Sequence, residues 1–176
     1  MTHSNDEIHI KYLQQCLDEA RKSPPRPTNF CVGALILHVP KDGAEPRVLV
    51  TGYTLECPGN THAEQCCFIK LAKEANLPEE RVDEALLLDG EIVLYTSMEP
   101  CWMRLSGNLP CVQRILRAKH IRKVICGVRE PEKFVGENQG RKILADAGIE
   151  VLYVNGLEED ILKVATAGHA KDGDEH

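Results

Sequence analysis

A membrane span is the first thing missing. No apolar run in the 176-residue chain approaches the roughly 18 residues that crossing a bilayer requires, and the start MTHSNDEIHIKYLQQ has no charged-then-apolar secretory pattern. These absences lead to the expectation of a cytoplasmic protein with no membrane partner. A basic stripe is missing too: the formal net charge of −6 comes from interspersed acids and bases, so a nucleic-acid backbone is not the expected partner. A small ligand, phosphorylated or not, stays open. There is also no internal repeat, low-complexity tract or linker. With 43% hydrophobic residues, one domain is expected over residues 1–169, followed by the polar tail AKDGDEH, 170–176, expected to be disordered. In a reducing compartment the eight cysteines, at positions 16, 31, 57, 66, 67, 101, 111 and 126, would not form a disulfide framework. Metal ligation or plain burial must account for them.

What is present alternates. DEIHIKYLQQCLDEARKS sets Ile8, Tyr12, Leu13, Cys16, Leu17 and Ala20 at helical spacing, and PPRP closes the helix. FCVGALILHV and RVLVTGY, separated by the turn-rich PKDGAEP, read as a hairpin. Thr61 is placed to cap a helix from His62 towards Asn76. Then come strand EIVLYTS, a helix near CVQRILRAKH, strand RKVICGV, a helix near NQGRKILADAG, strand IEVLYV and a last helix from Leu157. Strands alternating with helices imply an α/β layered fold with a largely parallel second half.

The chemistry gathers at two helix starts. His62-Ala63-Glu64 opens one helix, and EPCWMRLSGNLPC follows a strand's C-terminal end, where α/β sheets place their sites. One imidazole and two thiolates, from His62, Cys101 and Cys111, give zinc three protein ligands and leave the fourth tetrahedral position open, as catalytic sites do. Helix N-termini favour thiolate over thiol. Glu64 then stands free to act as a base. Cys66 is a rival ligand, four residues after His62 on the same helix face. Cys101 and Cys111 are preferred because they sit at a loop-to-helix junction, whereas Cys66 and Cys67 suit a buried helix face. Cys16, Cys31, Cys57 and Cys126 read as core or loop residues, and Trp102 as packing.

The ordered set H-x-E, then P-C and a second cysteine, is the signature of zinc-dependent base deaminases. THAEQ, SMEPC, LSGNLPC and RKVICGVREPEKFVGENQGRKILADAGIEVLYV further resemble the diaminohydroxyphosphoribosylaminopyrimidine deaminases of riboflavin biosynthesis, over about residues 28 to 155. The resemblance implies a three-layer α-β-α cytidine-deaminase-like fold, with helices on both faces of a five-stranded mixed sheet, a catalytic Zn²⁺, a homodimer and a phosphorylated pyrimidine substrate. Asn29, just before the first strand, would bond the substrate's base or ribose; Arg104, Asn108 and Glu130 lie in loops expected to ring the pocket mouth. The loop Trp102 to Pro110 is one residue longer than the bacterial spacing and lacks the lysine that resembles a phosphate ligand there. Arg104 or Asn108 would replace it, with Arg129 and Lys133 next in line. The chain ends where bifunctional bacterial members continue into a reductase domain, which implies a stand-alone, fungal-type deaminase. Deaminases of the same fold acting on cytidine, deoxycytidylate, guanine or a tRNA adenosine remain alternatives, as does a non-catalytic zinc-stabilised module.

Overall fold

The structure, a computed structural model, describes residues 2–131 and 137–169; the tail 170–176 and Lys133 lie outside the described residues. Helix α1 (Thr2–Ala20) precedes the hairpin β1 (Gly33–Pro40) and β2 (Arg47–Tyr53). Next come α2 (Ala63–Glu74), a 3-10 segment (Glu79–Leu86) and β3 (Gly90–Met98), followed by α3 (Cys111–Arg117), β4 (Ile121–Val128), α4 (Gly140–Asp146), β5 (Glu150–Tyr153) and α5 (Glu158–Ala165). All five strands join one sheet in the order β2-β1-β3-β4-β5. β1 runs antiparallel to β2 and β3, while β3, β4 and β5 run parallel. This is the expected mixed α/β sheet.

Strand alternation sorts side chains to two faces. The row Ile36–Leu94–Val124–Val151 lies in one buried cluster with Phe68 and Leu71 of α2, Ile115 of α3 and Leu144 of α4. The neighbouring row Leu35–Tyr95–Ile125 faces the other way and packs under Tyr12, Leu13 and Cys16 of α1. α5 joins this second face: a Cβ on Gly127 would come within 2.4 Å of Ile161. Helices therefore cover both faces. Fully burying each large aliphatic side chain contributes on the order of 1.5 to 3 kcal/mol.

α2 carries the first half of the site, and its placement depends on what lies beneath it. A Cβ on Gly52 would stand 2.4 Å from the Ala63 carbonyl oxygen, so only glycine lets β2 approach the helix start this closely. The helix ends in a left-handed Asn76 (φ 58°), with Leu77 N–H donating to the Ala72 carbonyl at 2.8 Å and Asn76 N–H to that of Lys73 at 3.0 Å. That is a Schellman closure with asparagine in glycine's place.

Its start corrects the sequence expectation. The N-cap is His62, not Thr61: the Thr61 hydroxyl donates to the Cys57 carbonyl at 2.8 Å and is spent in the preceding loop. Gln65 Oε1 accepts the His62 N–H at 3.2 Å, which is half of a capping box.

Candidate active site

His62 reaches the site from the cap of α2, Cys101 from the loop after β3, and Cys111 from the first residue of α3. Their ligand atoms all lie within 4.8 Å of one another, and among the described residues no other histidine, cysteine and carboxylate group is so placed. His62 Nδ1 is 3.4 Å from Cys101 Sγ and 3.6 Å from Cys111 Sγ. Zn–S bonds near 2.3 Å and Zn–N bonds near 2.0 to 2.1 Å in a tetrahedron put neighbouring ligand atoms about 3.5 to 3.8 Å apart. The spacing and the donor chemistry therefore fit zinc. The rival Cys66 is turned away: its sulfur accepts the Cys57 N–H at 3.4 Å.

The two thiols are tightly coupled. Cys101 is held well below the usual thiol range, first by the Cys111 thiol and then by His62. Cys111 is pushed up by the same hydrogen bond and by its burial. The Cys111 N–H also donates to Cys101 Sγ at 3.3 Å. Deprotonated, the pair would present negative charge to a cation, as a ligand set must.

Glu64 belongs to the same corner. It is 3% exposed, its Oε1 accepts the Thr96 hydroxyl at 2.6 Å, and burial raises its pKa. A carboxyl whose charged form is disfavoured is suited to carrying a proton.

A cavity of about 160 Å³ opens over these groups, its walls including Asn29, Asn60, His62, Glu64, Cys101 and Glu130. Asn29 donates through Nδ2 to Asn60 Oδ1 at 2.9 Å. Arg104 also lines the cavity although only 9% exposed; its guanidinium donates to Gln65 Oε1 at 3.0 Å and to the Asn60 carbonyl at 2.5 Å. Glu130 is pushed up to about 8 by burial, with Cys101, Glu99 and Glu64 adding like charge. Asn108 does not join them: it is exposed and turned within its own loop onto Ser106 Oγ at 2.9 Å.

Sequence reasoning missed Glu99. It is 8% exposed and lines the cavity, with one oxygen accepting the Glu130 N–H at 2.9 Å and the other the Tyr153 hydroxyl. Its place directly before the Pro-Cys step was a usable signal. Trp102 packs against the core, as expected.

The family profile for the cytidine and deoxycytidylate deaminase zinc-binding region matches residues 6–128. The chain belongs to this family. A diaminohydroxyphosphoribosylamino-pyrimidine deaminase of Schizosaccharomyces pombe is 35% identical over 161 residues, covering 92% of this chain; the chain spans 36% of that relative's length. The crystal structure of Aspergillus oryzae Rib2 deaminase in complex with DARIPP (a C-terminal deletion mutant at pH 6.5) is 50% identical, with TM-score 0.82, covering 92% of this chain and 91% of that one. A bifunctional deaminase/reductase of Thermotoga maritima, 24% identical with TM-score 0.66 over 93% of this chain and 41% of its own, shares the fold. The family's zinc-binding region and the close grouping of His62, Cys101 and Cys111 agree in fitting zinc.

Proposed function

We propose that the chain catalyses hydrolytic removal of the 2-amino group from a 2,5-diamino-6-(ribosyl- or ribityl)amino-pyrimidinone 5′-phosphate, releasing ammonia, as a step of riboflavin biosynthesis. The observation that carries the reading is that a protein half identical over nearly its whole length was crystallised with DARIPP. The site supports it. Zinc held by His62, Cys101 and Cys111 would supply Lewis acidity and make water ionisable near neutral pH.

The chain's own groups do the rest. Glu64, on the cavity wall, takes a proton from the attacking water and passes it to the ring nitrogen, then takes the second proton from the hydroxyl now on the ring carbon and gives it to the departing amine, so that the carbonyl forms as ammonia leaves. Asn29 and Glu130 offer hydrogen bonds to the polar edges of the ring and sugar. Arg104 is a buried cation on the cavity wall, and among the described residues no carboxylate lies within ion-pair distance of it. Its two neutral partners leave three of its five N–H groups for the phosphate.

The same reading carries a homodimer in the cytoplasm; among the described residues no helix is long and apolar enough to cross a membrane. Ammonia release measured on the ribosyl and the ribityl pyrimidine phosphates, with deoxycytidylate as control, tests the function. Turnover of one or both pyrimidine phosphates is the expected result, and turnover of deoxycytidylate alone would replace this reading with another deaminase of the family. Light scattering of the purified protein tests the dimer.

A further inference from the structure

Thr96 is a polar residue on a face of β3 that is otherwise apolar: Ile92, Leu94 and Met98 are its same-face neighbours, all in the core under α2. It is 0% exposed. A buried hydroxyl is costly unless both its donor and acceptor capacities find use. Here Oγ1 lies 2.6 Å from Glu64 Oε1 and 2.8 Å from the Met98 carbonyl oxygen. The flanking positions in the sheet are Ala34 and Cys126, both small.

We infer that Thr96 is a positioning residue for the proposed reaction: its hydroxyl fixes one oxygen of the Glu64 carboxyl against the sheet and so aims the group into the cavity. This rests on the reading of Glu64 as the proton carrier. Glu64 sits in the first turn of α2 on a side chain with three rotatable bonds, and a base must be held within hydrogen-bond reach of the proton it moves. The Met98 carbonyl takes the hydroxyl's one proton when the Glu64 carboxyl is itself protonated and donates to Oγ1; when Glu64 is charged, that proton goes to the carboxylate. Because a hydroxyl both donates and accepts, Thr96 stays a partner to the carboxyl through proton uptake and return, which a backbone N–H or a lysine would not.

The test compares Thr96→Val, which keeps the shape and removes the hydroxyl, with Thr96→Ser, which keeps the hydroxyl and removes a methyl. Zinc content, melting temperature, kcat and KM are measured for both. The hydroxyl reading predicts that Thr96→Val loses about tenfold or more in kcat, the scale of one hydrogen bond to a charged group, with KM and zinc content near wild type, and that Thr96→Ser recovers most of the rate. A packing role predicts the reverse order. Near-normal kcat in Thr96→Val, or a loss in Thr96→Ser as large as in Thr96→Val, would overturn the inference. Thr96→Ala serves as a second hydroxyl-free variant, and loss of the fold or of zinc by both it and Thr96→Val would also overturn it by assigning Thr96 to structure. Glu64→Gln is run alongside. If that variant kept its turnover, the base assignment would fail; if it lost turnover while Thr96→Val did not, only the role of Thr96 would fail.

Discussion

Two cysteines in one short window, Cys66 and Cys67, compete on paper with two that are ten residues apart, and the fold decides between them. Both Cys66 and Cys67 are fully buried, and the Cys66 sulfur is already engaged by the Cys57 N–H. Cys111 stands 3.6 Å from His62. Metal analysis of purified variants should therefore find Cys111→Ala depleted of zinc and Cys66→Ala loaded like wild type; the opposite pattern would move the ligand assignment. Arg104 carries a second prediction. Removing a charge-assisted bond of about 1.5 to 3 kcal/mol should raise KM of Arg104→Ala for the phosphorylated pyrimidine about tenfold or more, with little change on the dephosphorylated compound. An equal loss on both would mean that Arg104 only ties its loop to Gln65 and Asn60. The zinc ligands and Glu64 were legible because their residue types are chemically restrictive at a fixed order. Asn108 was not, because whether a loop amide faces a cavity depends on turns that no periodicity encodes.

Elements were legible where one face is apolar. So too where apolar residues run together: EIVLYTS and RKVICGV yield β3 and β4 within a residue or two at each end. The 3-10 segment Glu79–Leu86 escaped notice because its polar composition hides two buried residues, Val82 and Leu86, four positions apart. α1 has a further consequence at this scale. His9 Nδ1 meets the Tyr95 hydroxyl at 2.8 Å, tying the helix to β3. Burial, then Lys123, lowers the His9 pKa, against opposing pulls from Asp6, Glu150 and Glu91. A base whose pKa is lower folded than unfolded binds fewer protons in the native state, so this contribution is present above the unfolded value near 6.5 and is lost as pH falls through and below it. Melting temperature should accordingly fall between about pH 7.5 and pH 5.5, and His9→Asn should flatten that slope. An unchanged slope in the variant would show that His9 does not carry it.

At the scale of the whole molecule, the antiparallel hairpin and the parallel β3-β4-β5 half place the carboxyl end of β3 beside the start of α2, which brings residues 62, 64, 101 and 111 together. The sequence order of strands and helices predicted this layering. What it did not predict is the wall behind the site, where Glu99, Glu130 and Tyr153 meet through hydrogen bonds from three separate segments; such contacts are set by tertiary packing and leave no local pattern. The proposed deaminase depends on Glu64 moving protons beside a zinc held by three ligands. It is tested most directly by measuring zinc content and ammonia release for wild type and Glu64→Gln on the ribityl pyrimidine phosphate. The account predicts equal zinc in both proteins, ammonia from wild type, and a rate lower by about 10² to 10⁴ in the variant, the usual contribution of a general acid–base group. Near-normal ammonia release by Glu64→Gln would contradict it.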